Sequence, residues 1–144
     1  MSKVKVVFWS GTGNTAAMAQ AVVDGVVAAG KDAELLEVSS VSPADLKDDA
    51  VFALGCPSMG AEQLEESEME PFMEGLDSEL SGKKVGLFGS FGWGAGEWMR
   101  DWEARVQADG GEVVNCEGVI CNGEPDDEAI DALKSLGEAL AANL

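Results

Sequence analysis

The chain has 144 residues, of which 46% are hydrophobic, and this length and composition predict one globular domain spanning residues 1–144. Lysines and arginines number 9 against 27 aspartates and glutamates, and the formal net charge of −18 disfavours binding to nucleic acid or anionic membranes and favours basic protein partners. Because histidine is absent, Ser-His-Asp and Cys-His nucleophilic arrangements are excluded, and we expect no metal site.

Apolar stretches separated by turn signals predict five strands, at residues 4–9, 33–38, 50–54, 85–88 and 113–120. Apolar residues at helical spacing predict four helices between and after these strands. The first closes near Gly30, the second begins at Pro71, the third begins near Gly96 and the last begins near Asp126. Strands that alternate with helices predict an α/β fold, a three-layer α/β/α sandwich around a five-stranded parallel sheet.

The cysteines and the lack of a long apolar segment indicate in which cellular compartment we expect the protein. No window approaches the roughly 20 consecutive apolar residues of a membrane span, and the N-terminus runs directly into the first strand. Cys56, Cys116 and Cys121 are odd in number and form no Cys-x-x-Cys pair, which is typical of free thiols in a reducing compartment. We therefore expect a cytoplasmic protein, and we expect it to be a monomer.

The candidate site consists of the loops after strands one, three and four, because doubly wound sheets bind ligands at the carboxyl ends of their strands. The first loop can hold a phosphate with amides, hydroxyls and a helix dipole, without a cation. Trp93, between two glycines, is well placed to stack on a planar ligand, and Met59 can form an opposite wall. Gly60 can turn its peptide over at little steric cost. The first loop contains Ser10, Gly11, Thr12, Gly13, Asn14 and Thr15.

Four segments together carry a resemblance to a known family: residues 8–15 (FWSGTGNT), 54–60 (LGCPSMG), 64–72 (LEESEMEPF) and 82–94 (GKKVGLFGSFGWG). They resemble the flavodoxins, specifically the short-chain type of clostridia and related anaerobes, over nearly the full length of the chain. The resemblance implies a flavodoxin-like sandwich with strand order 2-1-3-4-5. It also implies non-covalently bound FMN, an electron-transfer protein rather than an enzyme, and basic-faced redox proteins as partners.

The same resemblance implies a role for each loop. The FMN phosphate would sit at residues 10–15, with Trp93 on the outer face of the isoalloxazine ring and Met59 on the inner face. On one-electron reduction the peptide after Met59 would turn over, so that the Gly60 carbonyl accepts a hydrogen bond from flavin N5 and stabilises the neutral semiquinone. The protein would then cycle mainly between this state and the anionic hydroquinone. The implied cofactor-binding residues beyond the first loop are Pro57, Ser58, Met59, Gly60, Ala61, Glu62, Ser90, Phe91, Gly92, Trp93, Gly94 and Ala95.

Acidic residues crowd the segment after Gly60, namely Glu62, Glu65, Glu66, Glu68 and Glu70. We expect their charge to oppose the anionic hydroquinone, which lowers the potential, and to form a negative docking rim for a basic partner.

Three positions depart from the family pattern. Pro57 stands where related sequences often carry serine, Ala61 where several have an acidic or polar residue, and Phe91 where tyrosine is usual; FMN affinity and the preference between peptide orientations depend on them.

The main alternative is an FMN- or nicotinamide-dependent oxidoreductase that acts directly on a small substrate such as a quinone. Gly11, Gly13 and Ala16 also satisfy a relaxed dinucleotide fingerprint, and Glu37 lies near the end of strand two, where a dinucleotide binder carries an acid. A cysteine-dependent phosphatase is excluded because no arginine lies six residues after Cys56, and three scattered cysteines cannot hold an iron–sulfur cluster. No general acid or base beyond surface carboxylates is evident, which favours a carrier.

Overall fold

The computed structural model describes residues 3–11, 13–59, 63–92 and 96–144. In chain order its strands and helices are β1 (Lys3–Phe8), α1 (Asn14–Ala28), β2 (Asp32–Glu37), β3 (Val51–Gly55), α2 (Met69–Leu76), β4 (Lys84–Phe91), α3 (Glu97–Ala108), β5 (Glu112–Val113), β6 (Val119–Asn122) and α4 (Asp127–Ala142). An α-helix follows β1, β3, β4 and β6, as the hydrophobic pattern predicts, whereas the link from β2 to β3 contains only short 3-10 turns. Within the described ranges, none of the helices has the length and apolar character of a membrane span.

The sheet is parallel, and its strand order is β2-β1-β3-β4-β5, with β6 also paired to β4. This order confirms the predicted 2-1-3-4-5 arrangement. The predicted fifth strand differs in one respect, because it consists of two short strands that pair with successive parts of β4. Asn115 and Cys116, which lie between them, have φ values of 63° and 69°. Such left-handed residues cannot continue a strand, so the ladder is interrupted there.

Helices cover both faces of the sheet. On one face α1 and α4 pack with Val4 and Val6 of β1, and on the other α2 and α3 pack with Phe52 and Leu54 of β3. All five residues of β3 are buried, as expected for the central strand of a sheet covered on both sides. The three-layer α/β/α sandwich is thereby confirmed.

Side-chain caps set where two of the helices begin. The Asp126 carboxylate accepts a hydrogen bond from the Ala129 amide at 2.8 Å, so α4 begins at the predicted position. The second helix begins at Met69, two residues before Pro71, because the Glu65 carboxylate accepts the amides of Glu68 and Met69 at 2.7 and 3.0 Å. A cap supplied from outside the helix thus extends it beyond the point that proline marks.

Candidate functional site

A cleft of about 260 Å³ lies where the loops after β1, β3 and β4 meet at the carboxyl end of the sheet. This is the switch point of the strand order, where β1 neighbours both β2 and β3. All three predicted loops contribute to one cavity. The described residues that line it are Trp9, Gly11, Asn14, Pro57, Ser58, Met59, Ser90, Phe91, Gly92 and Gly123.

One end of the cleft is built to receive an anion. Ser10 Oγ accepts hydrogen bonds from the amides of Gly13 and Ala16 at 3.1 and 3.3 Å. Gly13 adopts φ 97° immediately before α1, and the first turn of that helix contains no acidic side chain. The positive end of the α1 dipole is therefore not offset by an acid of its own first turn, and a phosphate group fits beside it.

Two buried hydroxyls connect the phosphate end to β4. Thr15 Oγ1 and Ser90 Oγ lie 3.2 Å apart, and either can be the donor. Both residues are almost completely buried. Their contact fixes the start of α1 against the end of β4. The Thr15 hydroxyl therefore has a structural role in addition to its predicted role in binding the phosphate.

The loop after β3 is held at several points of its backbone. The Ser58 amide donates to Ser90 O at 2.9 Å, which fastens the loop to β4. Met59 and Gln63 form an isolated antiparallel bridge, with reciprocal amide-to-carbonyl distances of 2.9 and 3.0 Å. Residues 60–62 are the short segment between these two anchors. Met59 and Gln63, on either side of that segment, are therefore held together by two backbone hydrogen bonds.

Half-buried apolar side chains make the rest of the cleft apolar. Trp9, Pro57, Met59 and Phe91 line it, and the described lining includes no lysine or arginine. A Cβ added at Gly92 would meet no described atom within 4 Å, so the backbone there is open. An uncharged ring system fits such a cavity better than a charged group does.

Seven of the predicted site residues lie outside the described residues: Thr12, Gly60, Ala61, Glu62, Trp93, Gly94 and Ala95. Two residues that line the cleft, Trp9 and Gly123, were not among the predicted ones. The Gly123 amide donates to Phe91 O at 2.8 Å, and its φ is 69°. The Asn122-Gly123 pair at the end of the last strand is a turn signal that could have indicated it.

The glutamates after the β3 loop differ in burial and in partners. Glu65 is only 6% exposed, and its carboxylate accepts hydrogen bonds from Ser67, Glu68 and Met69. Burial raises the pKa of Glu65, but these hydrogen bonds outweigh it and hold the pKa below its ordinary value. Glu70 pairs with Arg105 at 2.9 Å. The other two predicted glutamates that the structure describes are Glu66, which is exposed, and Glu68, which is half-buried.

The cysteines are not poised for nucleophilic chemistry. Burial raises the pKa of the Cys56 thiol to about 12, so it stays protonated at neutral pH. Burial also raises the pKa of Cys121, while Cys116 is exposed. Across the described ranges, no group of three or more acidic or cysteine side chains is arranged to hold a metal ion.

A larger cleft of about 450 Å³ lies at the opposite, amino end of the sheet and includes Lys3 and Lys5. Each of these lysines is already ion-paired, with Glu34 and Asp49 respectively, at 2.9 Å. This cleft therefore lacks the uncompensated donors that the α1 terminus supplies.

An anion-receiving helix terminus beside an apolar cleft, at the switch point of a 2-1-3-4-5 sheet, defines a mononucleotide-binding α/β protein. Residues 6–135 match the flavodoxin family model. The chain is 47% identical to the flavodoxin of Clostridium beijerinckii over 131 residues, covering 91% of this chain and 94% of that one. It is 47% identical to the flavodoxin of Megasphaera elsdenii over 138 residues, covering 96% and 98%. The solution structure of two-electron reduced Megasphaera elsdenii flavodoxin superposes with a TM-score of 0.87, covering 96% and 98% of the two chains.

The chain therefore belongs to the flavodoxin family, whose members are FMN-binding electron-transfer proteins rather than enzymes. This membership decides against the alternative of an oxidoreductase that acts directly on a small substrate. The described residues fit FMN, because the cleft joins an amide-rich anion pocket to an apolar cavity without a competing cation.

Proposed function

We propose that this protein is a low-potential one-electron carrier that cycles FMN mainly between the neutral semiquinone and the anionic hydroquinone. The observation that carries this proposal is the Met59–Gln63 bridge, which anchors the backbone on both sides of Gly60. When bound, FMN supplies the one-electron chemistry. The protein supplies its anchorage, its walls and a peptide group whose orientation can respond to the cofactor.

The three loops would hold FMN through different groups. Ser10 and the first turn of α1 would receive the phosphate through amides and hydroxyls, and the absence of an acidic side chain from that turn supports this role. Met59 would lie against one face of the ring and Trp93 against the other. The remaining residues that we assign to the cofactor are Gly11, Thr12, Gly13, Asn14, Thr15, Pro57, Ser58, Gly60, Ala61, Glu62, Ser90, Phe91, Gly92, Gly94 and Ala95.

The peptide after Met59 would act as the redox-linked element. A glycine at position 60 lets this peptide adopt either orientation with little steric cost. Because Met59 and Gln63 hold each other through two hydrogen bonds, the change would not spread into β3 or α2. The Gly60 carbonyl would then accept a hydrogen bond from N5 of the reduced cofactor in one orientation only.

Negative charge around the cleft would lower the potential of the second electron. Placing an anion in an apolar cavity costs free energy, and carboxylates nearby add to that cost. Glu66 and Glu68 follow the cleft loop and are not ion-paired in the described structure, whereas Glu70 is neutralised by Arg105. We assign the electrostatic effect and the docking of basic-faced redox partners mainly to the first two.

A monomeric, cytoplasmic carrier agrees with the remaining features. All three cysteines are free thiols, which suits a reducing compartment. The net charge of −18 keeps such a protein away from nucleic acid and anionic membranes and attracts basic partners.

An anaerobic spectral titration of the FMN-loaded protein tests the proposal. We expect a long-wavelength blue semiquinone band, followed by a second step at low potential. Replacing Glu66→Gln and Glu68→Gln should raise the second midpoint by about 10–20 mV each, the size of a screened charge interaction at the protein surface. Direct two-electron bleaching without the blue band would contradict the proposal.

Glu138→Gln is the matched control for the charge effect. Glu138 is exposed near the C-terminal end of α4, and the next turn places Asn143 within 2.8 Å of Lys84 Nζ at the amino end of β4. It therefore lies at the end of the molecule away from the cleft. Its replacement removes the same charge and should leave the midpoint unchanged, whereas an equal shift would show a general effect of net charge.

A further inference from the structure

Trp98 contacts both the loop after β3 and the end of β4, although the described lining of the cleft does not include it. It is the second residue of α3 and is only 1% exposed. Its Nε1 donates a hydrogen bond to the Cys56 carbonyl at 3.1 Å, in the loop after β3. Its ring meets Phe91 at the end of β4, with centroids 5.7 Å apart and planes tilted by 53°.

The Cys56 carbonyl is enclosed on its other side. A Cβ added at Gly89 would lie 2.1 Å from Cys56 O and 3.1 Å from the Trp98 ring, so the backbone of β4 is in close contact with both. Among the described residues, Trp98 supplies the hydrogen bond to this carbonyl. A buried carbonyl that loses its donor in such a tight space costs free energy, because water has no room to replace it.

The two ends of the contact lead directly into the cofactor-binding segments. Cys56 precedes Pro57, Ser58 and Met59, which line the cleft, and Phe91 lines it from the other side together with Gly92. The Cys56 and Ser58 amides already donate to Phe88 O and Ser90 O at 3.1 and 2.9 Å. Trp98 adds a side-chain link at the point where both loops leave the sheet.

We propose that Trp98 is a positioning residue for FMN: its indole holds the loop after β3 and the end of β4, at Phe91, at the separation that the cofactor requires. A loop pair that is held in place before binding loses less conformational freedom when the ligand enters. Loss of the indole N–H would therefore weaken FMN binding without removing any group that touches the cofactor. The inference rests on the FMN site described above.

Trp102 provides a matched comparison within the same helix. It lies one turn further along α3 and is also 1% exposed. Its Nε1 is buried and has no hydrogen-bond partner among the described residues. Trp98→Phe and Trp102→Phe therefore remove the same atoms from the same helix, and only the first breaks a hydrogen bond to a cofactor loop.

The experiment measures the dissociation constant of FMN from the oxidised full-length protein, by titrating each apoprotein with FMN. Trp98→Phe should raise this constant about three- to tenfold, the worth of one enclosed hydrogen bond. Trp102→Phe should leave it within twofold of the unsubstituted protein. A constant within twofold for Trp98→Phe, or an equal rise for both variants, would overturn the proposal.

Thermal unfolding of the apoproteins separates positioning from stability. A merely structural role would lower the unfolding midpoint of Trp98→Phe and leave its FMN dissociation constant unchanged. FMN binding by the unsubstituted protein is the separate test of the site itself, so failure of the site and failure of this inference are distinguishable.

Indole hydrogen exchange in the unsubstituted protein tests the same coupling without a variant that has to fold. If Trp98 orders the loops for FMN, then FMN must in turn stabilise the Trp98 contact. The Trp98 Nε1–H should exchange at least about tenfold more slowly with FMN bound than without it, in keeping with the fewer openings of an ordered segment. Equal exchange rates in the two forms would overturn the proposal, and the Trp102 Nε1–H serves as the internal reference.

Discussion

At the residue scale, Glu65 shows how a charged side chain can serve the fold instead of the surface. Its carboxylate accepts the Ser67, Glu68 and Met69 amides and the Ser67 hydroxyl. The Cys56 sulfur in turn accepts the Glu65 amide at 3.4 Å. Glu65 therefore connects the cleft loop to the start of α2. In the sequence Glu65 cannot be distinguished from the exposed glutamates around it. Only the folded backbone shows that Glu65 is buried and accepts amides while others face solvent.

Glu65→Gln should lower the free energy of unfolding at pH 7 by about 2–3 kcal/mol, because hydrogen bonds to a charged group are lost and an amide donor faces backbone amides. The pKa of Glu65 is lowered on folding, so its contribution is present above the unfolded value of about 4.3 and is lost as pH falls through the lower folded pKa. Chemical denaturation at pH 7 and at pH 3 should show that the variant loses less on acidification.

Glu66→Gln is the control, since Glu66 is exposed and accepts one hydrogen bond, from Gln63 Nε2 at 2.6 Å. Glutamine keeps an acceptor there, and we expect a change within about 0.5 kcal/mol, as for most surface substitutions. Equal losses in the two variants would contradict the structural role of Glu65.

The sequence identifies most described cleft residues but not their supports. Glycines, hydroxyls and Met59 in strand-end loops have a direct chemical meaning, so they could be selected from the sequence. Trp98 has helical spacing with Trp102 and therefore reads as core, because periodicity indicates which face is buried but not which carbonyl the indole meets. Trp9 ends a strand and reads as part of its apolar run, although it lines the cleft.

At the scale of elements, the sequence predicts the order of the four described α-helices and of the parallel strands, but it does not predict where a strand is interrupted. Residues 113–120 read as one apolar run, yet Asn115 and Cys116 take left-handed conformations that divide it into β5 and β6. Asparagine is enriched in that conformation, so Asn115 was an available signal. Cys116 was not, because its conformation is imposed by the surrounding chain.

The contact between α1 and α4 depends on two glycines. A Cβ added at Gly25 would lie 2.1 Å from Lys134 O, and one added at Gly137 would lie 2.2 Å from Val22 O. Each helix thus meets the backbone of the other through a position without a side chain. This reciprocal arrangement lets the two helices approach more closely than any larger residue would allow.

Gly25→Ala and Gly137→Ala should each lower the free energy of unfolding by about 2–3 kcal/mol, because overpacking outweighs the better helix propensity of alanine. Urea denaturation measures both. Glu138→Ala, at the exposed neighbouring position of α4, should change stability by no more than about 0.5 kcal/mol. Stabilisation by either glycine substitution would show that the helices separate freely and would contradict the close contact.

At the scale of the whole molecule, the excess of acidic residues makes stability depend on pH. As pH rises, the ionised carboxylates that give the net charge of −18 repel one another and destabilise the fold, and added salt screens this repulsion. One local group adds a separate dependence. Asp77 accepts two hydrogen bonds from Arg105, at 2.7 and 3.0 Å. The carboxyl group of Asp77 also interacts with the carboxyl group of Asp109.

The hydrogen bond with Asp77, followed by burial, raises the pKa of Asp109 to about 6. A raised carboxyl pKa stabilises the fold below the unfolded value of about 3.9, and this contribution is lost as pH rises through 6. For Asp77, burial raises the pKa, but the hydrogen bonds outweigh it and lower the pKa overall, so its contribution is lost only in acid. The proton lost between pH 5 and 7 therefore belongs to the Asp77–Asp109 pair, whose other carboxyl group is ionised throughout that range.

Asp109→Asn should flatten the fall in unfolding free energy between pH 5 and 7, because asparagine cannot lose a proton and its amide can donate to Asp77. Denaturation measured in about 0.5 M KCl, where the Debye length is only a few ångströms, removes most of the general repulsion and leaves the local effect. Asp131→Asn, an exposed change of the same charge on α4, should keep the original slope. If Asp109→Asn also kept that slope, the pH dependence would belong to the net charge of the molecule and not to the carboxyl pair.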